Sequence, residues 1–129
     1  MPVANFPEYS RQLSDAIMDI VGNGQARITD LQVDQRSIRR GYITGILIFE
    51  DESELHFREY IDTTRTMPRI MYAYHYQDAA KALIFRYDNA LHRPALSQQE
   101  HKHTPTSIDV GSMPTFIEVL DEILSRISR

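Results

Sequence analysis

The sequence predicts an α+β fold, an antiparallel five-stranded meander sheet flanked by an N-terminal and a C-terminal helix. Three observations predict it. Apolar residues recur at helical spacing only near the two ends of the chain. Between them, five segments rich in Ile, Tyr, Phe and Val alternate apolar with polar residues, as half-buried strands do. The connections between those segments are too short for crossover helices, so neighbouring strands must run antiparallel.

Each element has its own signal. Pro7 suits the first turn of a helix, and Tyr9, Leu13, Ile17 and Ile20 follow on one face. Gly22-Asn23-Gly24 then stops that helix. The strands span residues 26–33, 38–50, 53–62, 68–77 and 82–88. Asp51-Glu52 turns one hairpin and Asp78-Ala79-Ala80-Lys81 another. Near the end, Ser112 is placed to cap a helix with Pro114 in its first turn. Phe116, Val119, Leu120, Ile123, Leu124 and Ile127 form the apolar stripe of that helix.

Strand alternation assigns side chains to faces. A two-residue turn at Asp51-Glu52 pairs Ile48 with Leu55, Ile46 with Phe57 and Thr44 with Glu59. Glu59 is then a lone carboxylate on an apolar face, where an arginine is its expected partner. The other face carries Glu54, His56, Arg58 and Tyr60, opposite Ile43, Gly45, Leu47 and Phe49. In the second hairpin Tyr72, Tyr74 and Tyr76 share a face with Leu83, Phe85 and Tyr87 and read as core beneath a helix. His75 falls with Arg86 and Asp88, a polar group that Arg58 and Tyr60 are placed to join.

Composition narrows the class. The 129 residues suit a single domain over 1–129, and 42% hydrophobic residues suffice for a core. The chain has no cysteine, which excludes disulfides and thiolate metal sites. A formal charge of −4 argues against a general nucleic-acid coat, although Arg36, Arg39 and Arg40 cluster locally. No secretory signal is legible, and the longest apolar run, ITGILIF, is too short to span a bilayer. The expectation is a cytoplasmic protein.

The most distinctive stretch is IFRYDNALHRPALSQQEHKH, residues 84–103, which delivers His92, His101, Lys102 and His103 just beyond Arg86 and Asp88. REY (58–60), YHYQD (74–78), FRYDNALH (85–92), HKH (101–103) and the helix after Met113-Pro114 follow in order. This joint order resembles the TumE family of toxin components from toxin–antitoxin operons, over roughly residues 40–128. Two departures stand out. Leu91 precedes His92 where the family pattern has Pro, and Ala79-Ala80-Lys81 replaces a turn with Asp and Gly. The resemblance implies a growth-inhibiting toxin neutralised by a cognate antitoxin encoded beside it, a partner that is usually a DNA-binding protein.

The residues themselves suggest chemistry. A metal-independent ribonuclease needs a base for the 2′-OH, an acid for the 5′-oxygen and cations for the charged intermediate. His75, His92, His101 and His103 offer the proton-transfer groups, Arg86 and Lys102 the cations, and Asp88 a carboxylate to orient an imidazole. Arg58, Tyr60, Tyr87 and Asn89 are candidate substrate-binding residues, with tyrosines suited to stacking on bases. RNA is the expected substrate and no cofactor is expected. Two alternatives stay open: a metal-dependent nuclease or phosphotransfer enzyme, and a non-catalytic toxin that inhibits a target by binding. Arg86 with Asp88 also reads as a plain structural ion pair, and loop histidines as solvated groups.

Overall fold

The computed structural model describes residues 4–89, 101–105, 108–110 and 113–128. Helix α1 (Phe6–Gly22) leads into β1 (Ala26–Gln35), β2 (Arg40–Phe49), β3 (Glu54–Asp62), β4 (Arg69–Gln77), β5 (Leu83–Asp88), β6 (His101–His103) and β7 (Ile108–Val110). Helix α2 (Phe116–Ile127) closes the chain. Among the described residues the strands form one sheet in the order of the sequence, and every adjacent pair is antiparallel. The expected meander is therefore present, extended from five strands to seven. The two extra strands have three residues each, too short for alternation to register in a sequence.

Both helices cover the same face. Asn5 caps α1, with its side chain accepting from the Glu8 amide, and Asn23 and Gly24 end it, Gly24 with φ of 74°. Ser112 lies outside the described residues. The cap of α2 is Thr115, which forms a reciprocal capping box with Glu118. Phe6, Leu13, Ile17 and Ile20 of α1 and Phe116, Val119, Leu120 and Ile123 of α2 pack into one core with Leu47, Leu55, Phe57, Tyr74, Tyr76 and Phe85 of the sheet. Each such fully buried large side chain contributes about 1.5–3 kcal/mol. The tyrosine row of β4 is core, as its pattern indicated, with Tyr72, Tyr74 and Tyr76 at most 3% exposed. No helix among the described residues is long and apolar enough to cross a membrane.

The β2–β3 hairpin departs from expectation by one residue. Phe49 N–H donates to Ser53 O, and Glu52 takes a left-handed conformation with φ of 67°. The turn thus holds three residues, not two, and Leu47 pairs with Leu55, Gly45 with Phe57 and Ile43 with Glu59. A one-residue slip exchanges the faces of a strand. Ile43, Leu47 and Phe49 therefore enter the core, and Tyr42, Thr44, Ile46 and Ile48 join Glu54, His56, Arg58 and Tyr60 on the other side. The β4–β5 turn also has a left-handed residue, Lys81, with φ of 71°. This is where Gly would cost least. The Asp78 side chain, accepting from the Ala80 and Ala82 amides at 2.9 Å each, holds the turn. The Lys81 ammonium meets Glu54. Hydrogen bonds from Lys81 and then His56 pull the Glu54 pKa down to about 2.

A charged network lies within the core. Glu59 is wholly buried, and its carboxylate accepts from the hydroxyls of Tyr9 in α1 and Tyr74 in β4. Arg69 donates to the Tyr74 hydroxyl, so the expected arginine reaches Glu59 through a tyrosine. Its guanidinium lies 4.5 Å from the centre of the Tyr72 ring. Burial drives the Tyr9 and Tyr74 pKa values well up, and the adjacent Glu59 reinforces it.

Packing over β2 is tight enough to require glycine. A methyl group on Gly41 would sit 2.2 Å from the ring of Phe6, which is itself fully buried. Gly41→Ala is expected to destabilise the fold by about 1–3 kcal/mol, the usual cost of overpacking. Urea denaturation checks this, and a midpoint equal to that of the wild type would show that Phe6 moves aside freely.

Candidate active site

The helix-free face of the sheet gathers the polar residues. Pairing from β3 to β6 sets His56 opposite His75, His75 opposite Arg86 and Arg86 opposite His103. A second row sets Arg58 opposite Ala73, Ala73 opposite Asp88 and Asp88 opposite His101. Residues paired directly across antiparallel strands share a face, so these rows lie side by side. The sequence placed His75, Arg86 and Asp88 together; the pairing adds His103 and His56.

The contacts run continuously. Arg86 Nε donates to Asp88 Oδ2 at 2.9 Å, and His103 Nε2 lies 3.3 Å from the same oxygen. On its other side Arg86 Nη1 is 3.4 Å from His75 Nδ1. A guanidinium can only donate, so His75 Nδ1 is the acceptor. The proton of the ring is then on Nε2, which donates to Gln77 Oε1 at 3.1 Å. His75 is therefore neutral. Its burial lowers its pKa, and the positive charge of Arg86 and then His56 lower it further, against the opposing Gln77 hydrogen bond. His56 stands edge-on to His75 at 6.4 Å between ring centres and donates from Nε2 to Glu54 at 3.0 Å.

A recess of about 390 Å³ opens beside this row, walled by Tyr42, Thr44, His56, Arg58, His75 and Arg86. That is within the range of small-ligand sites. Tyr42 and Tyr60 meet edge-to-face at 6.2 Å on the same face. Arg58 is exposed there.

Other candidates are placed elsewhere. Lys102 follows the alternation of its strand to the helix face, away from His103, and its Nζ donates to Glu122 Oε2 at 3.0 Å. Tyr87, its cross-strand neighbour, donates to Glu122 Oε1 at 2.7 Å, and Lys102 Nζ lies 4.9 Å from the Tyr87 ring centre. Burial acts to lower the Lys102 pKa, but Tyr87 and Glu122 outweigh it and hold the ammonium charged. These three residues clasp α2 to the sheet. Asn89 bridges to the β4 backbone, donating to Ile70 O at 3.0 Å and accepting from Tyr72 N at 3.1 Å. His101 pairs through its backbone register with Asp88 and Val110. His92 lies outside the described residues.

A protein-family model described as Toxin TumE matches residues 16–129. The chain belongs to the TumE toxin family. The match reaches beyond the motifs of strands β3–β6 to include the C-terminal part of α1, from residue 16 on, and all of α2. No curated protein and no solved structure matched the chain. Membership makes this TumE chain a toxin and implies an antitoxin as its partner. The reading from sequence overlooked His56, Tyr42 and Thr44 as site residues. His56 belongs to a motif-like strand beside Arg58, but only the β3–β4 register sets it against His75, and only the three-residue turn brings Tyr42 and Thr44 to that face.

The hydrogen bonds around His75 make a titration prediction. Nitrogen-15 NMR is expected to find the Nε2–H form and a pKa below the ordinary histidine value. Because the folded protein then binds fewer protons than the unfolded chain, stability attributable to His75 rises with pH between the lowered pKa and about 6.5, and is constant above it. His75→Gln should remove that part of the acid-side slope. Titration of His75 above the free-histidine value would contradict the assignment.

Proposed function

We propose that this TumE toxin is a metal-independent ribonuclease that acts on cellular RNA with the open sheet face. The observation that supports it is the row His56, His75, Arg86 and His103, laid across four adjacent strands with Asp88 beneath it. Two imidazoles flank one guanidinium, the set that in-line attack by a 2′-OH requires.

Arg86 and Arg58 bind the scissile phosphate, the former by its two-pronged fork. His75, kept neutral, takes the proton of the 2′-OH at Nδ1 as that oxygen displaces the long Arg86 contact. The 2′-oxygen bonds to phosphorus and the bond to the 5′-oxygen breaks. His103, oriented by Asp88, gives its proton to that leaving oxygen. The products are a 2′,3′-cyclic phosphate and a 5′-hydroxyl, with one proton taken up and one released. Tyr42 and Tyr60 stack on the bases beside the cut. His92 and His101 remain candidates for the acid position. The reaction asks for no cofactor. The antitoxin is expected to be DNA-binding, and RNA as substrate places the activity in the cytoplasm.

The test is cleavage of labelled RNA by the purified toxin, with and without EDTA. Cleavage is expected to persist in EDTA, and His75→Gln and His103→Gln are each expected to slow it by about 10²–10⁴-fold. Arg86→Lys should be a poor substitute, slower by roughly tenfold or more, because an ammonium keeps charge without the fork. Activity lost in EDTA and regained with a divalent ion would establish a metal-dependent enzyme instead. Intact RNA, together with growth arrest by the histidine variants, would establish a toxin that works by binding.

A further inference from the structure

A second concavity lies on the opposite, helix-covered side of the molecule, where α1, the N-terminus of α2 and the β3–β4 loop meet. Its volume is about 420 Å³, and Leu13, Met67, Pro68, Met113, Phe116 and Ile117 make it largely apolar. At its rim Met67 is 59% and Ile117 54% exposed, adjoining the apolar lining. One wall is Arg69, only 8% exposed, which also lines an adjoining polar recess with Thr64, Arg65, Thr66 and Asn89. The cleft and the recess thus adjoin, sharing Thr66, Met67, Met113 and the buried Arg69.

This corner is basic in a protein that is acidic overall. Arg40 and Arg65 both converge on Asp62, at 3.3 and 3.5 Å, and the Arg39 carbonyl accepts from Thr63. The nearby carboxylates are occupied. Asp62 holds the Thr64 turn and two arginines, Glu59 takes two tyrosine hydroxyls, and Glu118 closes the α2 capping box. The chemistry that complements the corner is an apolar side chain for the cleft next to a carboxylate for Arg65 and Arg69.

We propose that the cleft is the docking site for an apolar segment of the antitoxin that carries a carboxylate beside its anchoring side chain. This rests on family membership, which supplies the antitoxin. Three features favour a protein segment over RNA. The lining is largely aliphatic and thioether, methionines adapt to a partner's side chain, and its two aromatic rings offer a base no free stacking platform, since Phe116 is only 5% exposed and Tyr9 is half-buried with its hydroxyl held by Glu59. Docking there leaves the row from His56 to His103 uncovered, so that neutralisation works from the helix side.

The experiment is calorimetric titration of the purified toxin with the antitoxin encoded beside it. The cleft variants are Met67→Glu and Ile117→Glu, with Arg65→Glu for the recess. All three side chains are exposed, and circular dichroism and melting are expected to match the wild type. Met18→Glu, on the outer side of α1 and 60% exposed, is the control. Each cleft variant is expected to weaken Kd by about tenfold or more, Arg65→Glu to weaken it with a reduced salt dependence, and Met18→Glu to leave it unchanged. Wild-type binding that all three variants reproduce would overturn the docking site and leave the toxin–antitoxin reading standing. No binding by the wild type would overturn both. Variants that lose RNA affinity but keep the antitoxin would assign the cleft to RNA and also overturn the proposal.

Discussion

The sheet's two faces depend on strand register. From β3 to β6, each antiparallel pair carries its neighbours' side chains alternately toward the helices and away from them. The same alternation that sends Tyr74 and Tyr76 into the core sends His75 out, and the same that sends Lys102 toward α2 leaves its neighbour His103 at Asp88. Core and candidate active site are therefore not separable features. A slip of one residue in β4 would bury His75 and expose the tyrosines, so the burial of several aromatic side chains enforces the row of imidazoles.

Holding both helices on one face frees the other. Phe116 of α2 packs 4.9 Å from Phe57, Phe6 of α1 covers Gly41, and the Glu122 clasp on Tyr87 and Lys102 ties down the middle of α2. Nothing among the described helical residues crosses to the side where Arg58 and the recess beside it lie. Arg58 there is exposed and keeps its hydration, whereas Arg86 is partly buried against Asp88.

The Glu59 network is the costly part of the core. A buried carboxylate loses hydration worth several kcal/mol, recovered only when both oxygens find donors and a counter-charge is near. Tyr9, Tyr74 and Arg69 meet those conditions from α1 and β4. A set that joins a helix and two strands also fixes their relative placement, and Arg69 brings its charge to the wall of a cleft.

The sequence by itself determined the α+β class, the antiparallel order, the two helices and the burial of the β4 tyrosines, because periodicity and short connections are local properties. The joint order of REY, YHYQD, RYDN and HKH was enough to indicate the TumE family, which the family model bears out. The partnership of His75 with Arg86 and Asp88 was also legible, since a four-residue connection leaves little freedom in register. Tertiary structure decided the rest. The β2 faces turned on a single left-handed residue, Glu52, an unfavourable conformation that no residue preference announces. Lys102 parted from His103 because HKH is a strand and not a loop. His56 found His75 only through the β3–β4 register, and Glu59 found tyrosines where an arginine was expected, since contacts between distant segments depend on packing that local patterns do not encode.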